Sequence, residues 1–239
     1  IHAGETVGVI GESGSGKTTL GRLMSGLMNA KSGGVYLDGT QLAQSVGKRS
    51  RDELRQIQFA FQMADVALNP RQRLNKILSR PMMFYRGLSQ SEATKDVARL
   101  LERVDLPTEF AWRFPPELSG GQRQRVNLAR ALAANPRLII CDEITSALDT
   151  IVAQQILDLL EDLQDELGVS YMFITHDIAT VAKISERIAV MRHGRIVAQG
   201  PVDSVLTPPC HEYTQLLLNS VPEMRTDWLD EAVVERRKL

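Results

Sequence analysis

The sequence is poor in cysteine: Cys141 and Cys210 are the only two in 239 residues, and they form no CxxC pair. A disulfide framework, a zinc site and an iron–sulfur cluster therefore lack ligands, and a reducing cytoplasm suits the chain. Aromatic residues reach only 5%. Net charge is nearly absent as well, since 28 Lys plus Arg stand against 29 Asp plus Glu, a formal -1. No long-range field favours a polyanion, so nucleic acid is not expected as a partner. Long apolar runs are missing too. Stretches such as Leu138–Cys141 and Ile188–Met191 fall far short of the roughly 18 residues that cross a bilayer, so the chain is not expected to span a membrane itself. No basic-then-apolar signal segment opens the sequence, and the first residue is Ile1, already inside an apolar–polar pattern. The beginning of the natural protein is therefore expected to be missing.

What is present is ordinary for a globular protein: 43% hydrophobic and 24% charged residues, in a length that suits one large domain or two small ones. Four short apolar runs, Thr6–Ile10, Ile57–Phe61, Leu138–Cys141 and Tyr171–Thr175, each end at a glycine or a polar residue. Without strict alternation, they read as strands buried on both faces of a parallel sheet. Helical patterns lie between them, over Thr18–Leu27, Gln90–Val104, Gly121–Ala134 and Thr150–Leu167, the last with Ile156, Leu159, Leu160 and Leu163 on one face. Strands alternating with helices predict an α/β fold with crossover connections. From about Asn69 to Ala134 the chain reads almost entirely helical, interrupted by Pro81, Pro107 and Pro115-Pro116, and predicts a helical insertion beside the sheet. Ile188–Met191 and Arg195–Ala198 around His193-Gly194 predict a hairpin, and Glu223–Leu239 a charged tail.

Gly11-Glu12-Ser13-Gly14-Ser15-Gly16-Lys17-Thr18 fits GxxxxGK[ST] between a predicted strand and a predicted helix, which is the context that motif requires. Its glycines let backbone N–H groups turn inward on phosphates where a Cβ would obstruct them. Lys17 brings a cation to the phosphates, Thr18 a hydroxyl for Mg²⁺, and the helix that Thr18 and Thr19 open a favourable dipole. Asp142 and Glu143 close a buried strand, at the edge where open parallel sheets collect ligands. Asp142 suits a Mg²⁺ contact, and Glu143 suits orienting and deprotonating an attacking water. Gln62 and His176 follow the other two buried strands. Gln62 is a candidate for Mg²⁺ or the water, and His176 for the γ-phosphate or the water. Leu118-Ser119-Gly120-Gly121-Gln122 is a second glycine-rich turn at a helix start. It could be an ordinary serine cap or a second anion site.

LSGGQ, the phosphate loop, Cys141-Asp142-Glu143 with Ser146-Ala147-Leu148-Asp149, Gln62 and His176 occur in one order from Gly4 to about Gly200. In that order the chain resembles the ATP-binding cassette (ABC) ATPases. The resemblance implies a P-loop α/β fold of ABC type: a central, mostly parallel sheet flanked by helices, with an inserted helical subdomain. Its segments are expected at 1–68 (ATP-binding core, first part), 69–135 (helical subdomain ending in LSGGQ and its helix), 136–205 (core, second part) and 206–239 (C-terminal extension). The implied cofactors are ATP and Mg²⁺. Two such domains pair head to tail in the family, as a homodimer or a heterodimer. Ser119, Gly120, Gly121 and Gln122 would then meet ATP held by the partner's phosphate loop, and Asp149, also a natural helix cap, would communicate across the dimer.

A finer resemblance, carried by Phe61-Gln62, Leu68-Asn69-Pro70-Arg71, Glu117, Arg123-Gln124-Arg125, Thr207-Pro208-Pro209 and His211-Glu212-Tyr213-Thr214, is to importers of peptides, nickel, opines and related solutes. It implies an ATPase on the cytoplasmic face of the membrane, peripheral, driving transmembrane permease subunits fed by a solute-binding protein. The alternative is a soluble cassette ATPase acting on nucleic acid or ribosomes. Three features depart from the pattern. Ile144 stands where proline is usual. Cys210 is alone where some members carry a cysteine cluster. The adenine-stacking aromatic that precedes Gly4 in the family is lacking, which suits a truncated chain or the second half of a fused tandem ATPase.

Overall fold

The computed structural model describes residues 1–219, so the expectation for the tail at Glu223–Leu239 lies outside the described residues. In chain order its strands are β1 (Thr6–Ile10), β2 (Tyr36–Leu37), β3 (Thr40–Gln41), β4 (Ile57–Ala60), β5 (Leu138–Asp142), β6 (Ser170–Ile174), β7 (Arg187–Arg192) and β8 (Arg195–Pro201). Its α-helices are α1 (Lys17–Met24), α2 (Arg51–Gln56), α3 (Ala64–Ala67), α4 (Leu74–Arg86), α5 (Gln90–Arg103), α6 (Gly120–Leu132), α7 (Thr150–Leu167), α8 (Ile178–Ile184), α9 (Val202–Leu206) and α10 (Glu212–Leu218). The chain divides into two units, one of Ile1–Thr6 with Thr18–Ile174, the other of Val7–Lys17 with the residues from Thr175 onward.

In the first unit β4, β5 and β6 pair in parallel, with Ile57 opposite Leu138 and Leu138 opposite Ser170. Every residue of β5 and β6 is buried, as strands covered on both faces must be. The apolar stripe of α7 (Ile156, Leu157, Leu159, Leu160 and Leu163) is buried with them. Helix starts follow their caps. Ser89 with Glu92 and Ser119 with Gln122 form reciprocal capping boxes, and Asp149 accepts the Val152 N–H, so each satisfies backbone donors that the first turn leaves over.

In the second unit β1 pairs with β7 in parallel, Val7 opposite Arg187, and β7 turns back into β8 antiparallel, with Arg192 opposite Arg195. Antiparallel pairing is thus seen in that hairpin and the short β2–β3 pair, while β1–β7, β4–β5 and β5–β6 are parallel. The α/β architecture read from the sequence is therefore observed, with β1 and α7 at their expected bounds. Pro81 does not interrupt its segment as expected. It lies inside α4, where it costs one N–H donor, while Leu74, Ile77, Leu78 and Met82 around it are buried and hold the helix by packing.

Candidate functional site

Within the second unit the phosphate loop runs from the end of β1 to Lys17. Gly11 sits at φ 148 and Gly16 at φ 106, conformations that side-chain-bearing residues rarely adopt. A Cβ on Gly11 would also fall 2.2 Å from the Met191 carbonyl oxygen. The loop is fixed from inside and outside. Ser15 N–H donates to the Glu12 carbonyl at 3.1 Å, and Gly194 N–H, from the β7–β8 turn, donates to the Ser15 carbonyl at 2.8 Å. Lys17 is buried, and its Nζ donates to the carbonyls of Gly11 at 2.7 Å and Glu12 at 2.9 Å. The Ser15 hydroxyl is buried without a hydrogen-bond partner among the described residues. A buried cation within a glycine-lined turn, beside an unsatisfied hydroxyl, is a donor set that fits phosphate oxygens.

Within the first unit, Thr18 Oγ1 donates to Asp142 Oδ1 at 3.0 Å, at the carboxyl end of β5. A hydroxyl and a carboxylate side by side are hard oxygen ligands that fit Mg²⁺, which needs one or two carboxylates beside phosphate oxygens. Glu143 follows at φ 49, a strained conformation for a side chain of this size, of the kind that collects at functional sites. Its N–H donates to the Ile174 carbonyl at 2.8 Å, which ties the turn to β6. Gln62 Nε2 donates to Glu143 Oε2 at 2.8 Å and reaches Ser146 Oγ at 3.4 Å. Ser146 Oγ in turn donates to the Glu143 carbonyl at 2.9 Å. The structure thus brings Thr18 to Asp142, and Gln62 to Glu143. Ser146 appears in the sequence only as part of the family string after Glu143, with no sign of its bonds to the Glu143 carbonyl and to Gln62. Ile144 is buried and occupies its position by packing.

The LSGGQ turn belongs to the first unit as well. Ser119 Oγ accepts the Gln122 N–H at 3.3 Å, and Gln122 Oε1 accepts the Ser119 N–H at 3.0 Å. The ordinary serine cap is therefore observed. Because Ser119 Oγ accepts in this bond, its own proton remains to be donated. Gly120 and Gly121 open α6, and a Cβ on Gly121 would fall 2.5 Å from Val152 Cγ1, so glycine is required there by the approach of α7. Asp149 caps α7 through Oδ1, 3.0 Å from the Val152 N–H. Glu12, Ser13, Gly14 and Thr19 are exposed, as is His176, which lies between Thr175 and the α8 cap Asp177. Among the described residues no three His, Cys, Asp or Glu side chains cluster as a metal site, and no helix is long and apolar enough to cross a membrane.

The family model for ABC transporter matches residues 1–146. A provisionally assigned peptide import ATP-binding protein of Brucella abortus is 46% identical over 94% of this chain and 68% of its own length. The glutathione import ATP-binding protein GsiA of Salmonella typhimurium is 47% identical over 93% of this chain, which spans only 36% of that protein. Among solved structures, cbiO1 of Clostridium perfringens, part of the ABC transporter complex cbiONQ, is similar with TM-score 0.77 and 27% identity, over 97% of this chain and 89% of that one. The ATP-binding cassette MJ0796, as a post-hydrolysis dimer with ADP and Pi, is similar with TM-score 0.72 and 35% identity, over 84% and 87% of the two chains.

Proposed function

The chain belongs to the ABC transporter family, and from that premise we propose that it is the ATP-hydrolysing subunit, or half, of an importer for peptides or peptide-like solutes such as glutathione. The observation that carries this reading is the pair of contacts at the carboxyl end of β5, Thr18 to Asp142 and Gln62 to Glu143, in a chain whose phosphate loop ends at Thr18. The peptide branch rests on the similarity to the Brucella and Salmonella import proteins.

In this reading Gly11, Glu12, Ser13, Gly14, Ser15, Gly16 and Lys17 bind the ATP phosphates through loop N–H groups and the Lys17 ammonium, with Thr18 and Thr19 at the helix start. Lys17 exchanges the carbonyls of Gly11 and Glu12 for phosphate oxygens, a charge-assisted bond in place of two neutral acceptors. Thr18, Asp142 and Gln62 would hold Mg²⁺, which would supply charge neutralisation at the phosphates. Glu143 accepts a proton from the attacking water, while Gln62 orients its carboxylate and Ser146 holds its backbone carbonyl. His176 contacts the γ-phosphate or steadies the water.

Ser119, Gly120, Gly121 and Gln122 donate to the ATP of a second cassette domain, identical or homologous, and Asp149 links the two. The similarity to the MJ0796 dimer supports this arrangement. Segment 69–135 is the helical subdomain, and the chain works at the cytoplasmic face of the membrane beneath permease subunits fed by a solute-binding protein. The test is ATP-dependent uptake of labelled di- and tripeptides and of glutathione by the reconstituted complex, with Glu143→Gln as the control. Uptake lost in the variant supports the reading; uptake of none of these solutes by an ATP-hydrolysing complex overturns the peptide assignment.

A further inference from the structure

Segment His211-Glu212-Tyr213-Thr214 marks the importer branch in the sequence, yet no step of the ATPase reading uses it. In the second unit it places Tyr213 at the start of α10, where the residue is 2% exposed. Its hydroxyl oxygen accepts the N–H of Glu12, the second residue of the phosphate loop, at 3.2 Å across 201 residues of sequence. Its ring carries the Arg192 guanidinium 4.7 Å from the centroid, and Arg192 ends β7, just before the turn whose Gly194 N–H holds Ser15. The His211 side chain caps α10 by accepting the Tyr213 N–H at 3.1 Å, which fixes the helix start that presents the tyrosine.

We propose that Tyr213 is a positioning residue for nucleotide binding, tying α10 to the phosphate loop. The loop is held at Glu12 on both sides of one residue. The Glu12 N–H goes to Tyr213, while the Glu12 carbonyl accepts from Lys17 Nζ and from the Ser15 N–H. On the ATPase reading, on which this inference rests, Lys17 gives up its two carbonyls when phosphate arrives. The loop then loses the Lys17 staple, while its glycines keep every tendency to disorder. The Ser15 N–H bond to the Glu12 carbonyl remains as a tie from within, joined from outside by Gly194 on Ser15 and Tyr213 on Glu12. A tie that counts for more in the bound loop than in the empty one is a contribution to affinity by preorganisation. The C-terminal segment thereby conditions the nucleotide site without touching the nucleotide.

The experiment uses the full chain and Tyr213→Phe, which removes one oxygen and keeps the ring over which Arg192 stacks. Two quantities are measured: MgATP affinity by calorimetry, and hydrogen exchange of the Glu12 amide without nucleotide. The expected result is a Kd raised roughly 2- to 10-fold, the range of one neutral hydrogen bond, with faster exchange at Glu12 and unchanged protection in β1 and β7. Thr214→Val is the control. Thr214 is fully buried on the same helix, and its hydroxyl has no hydrogen-bond partner among the described residues, so this variant should leave affinity and Glu12 exchange unaltered. Unchanged affinity in Tyr213→Phe, or an equal loss in Thr214→Val, overturns the proposal. If the wild-type chain binds no ATP, the ATPase reading fails on its own account. Glu12 exchange then still decides the tie, and exchange unaffected by Tyr213→Phe overturns it.

Discussion

The amide of Gln62 donates to the carboxylate of Glu143 at 2.8 Å, although 81 residues separate them. A carboxylate oxygen that accepts from an amide donor is fixed in direction, which suits a group that must meet one water. Glu143→Gln keeps the shape and can still pair with Gln62, but it removes the basic oxygen. Turnover is expected to fall by about 10²- to 10⁴-fold, the usual share of general base catalysis, with MgATP affinity unchanged. Single-turnover hydrolysis beside a binding titration checks this, and wild-type turnover in the variant would remove Glu143 from its role.

Lys17→Ala takes a buried cation out of the phosphate loop and leaves the Gly11 and Glu12 carbonyls that it now satisfies without that donor. Charge-assisted hydrogen bonds contribute roughly 1.5–3 kcal/mol each, so MgATP affinity should fall by about one to two orders of magnitude. Calorimetric titration reads the change directly. An affinity equal to wild type would mean that the loop binds its ligand without Lys17.

Gly121 leaves no room for a side chain, because an added Cβ would lie 2.5 Å from Val152 Cγ1. Gly121→Ala must turn Val152 from its rotamer or push α6 from α7, and overpacking of this kind costs about 1–3 kcal/mol. Thermal unfolding should show the loss, and Val152→Ala in the same chain should recover most of it. A variant as stable as wild type would show that Val152 or the helices give way without penalty.

How far these features could be read from the sequence depends on the distance over which their causes act. Helix α7 was legible to both ends because its cap Asp149 and its apolar stripe are local signals. Two local signals went unread. Ser50 and Glu53 form the capping box that starts α2, and Asp38-Gly39 at positive φ forms the two-residue turn of the β2–β3 hairpin, a pair that favours such turns. Pro81 misled because tertiary burial outweighed its missing donor. Motif order singled out Lys17, Thr18, Asp142, Glu143 and Gln62 as candidates. Only coordinates reveal that Gln62 bonds Glu143 or that Tyr213 holds Glu12, since nothing in local spacing encodes a contact across 81 or 201 residues.

The two cysteines differ in environment, which predicts their chemistry. Cys141 is fully buried in β5, and its burial, together with the neighbouring Asp142 charge, pushes the thiol far above its ordinary range. Cys210 is partly exposed, with its thiol 3.6 Å from Gln215 Oε1. Because the thiolate is the reactive form, iodoacetamide should label one equivalent in the native protein, at Cys210, and the second only in denaturant. Peptide mapping that finds Cys141 labelled at the native rate would contradict the burial.

The last prediction concerns whether the LSGGQ turn serves its own chain or another. Ser119 uses its oxygen to cap α6 and keeps its proton for a further acceptor, while one chain offers only one phosphate loop. If two chains meet head to tail, each Ser119 donates to the other's nucleotide and water is excluded from both sites. Ser119→Asp separates the two duties. A carboxylate caps a helix as well as serine does, so α6 should keep its stability, but a negative charge faces the triphosphate and should suppress closure. Lys17→Ala is inactive for a different reason, having lost the cation of its own loop. Each variant alone should hydrolyse ATP at background rate. Mixed in equal amounts, they can form a pair in which an intact Lys17 loop meets an intact Ser119 turn, so activity should return to about one working site per mixed pair. Sedimentation must show that mixed dimers form. If they form and no hydrolysis returns, Ser119 and Lys17 do not act in trans.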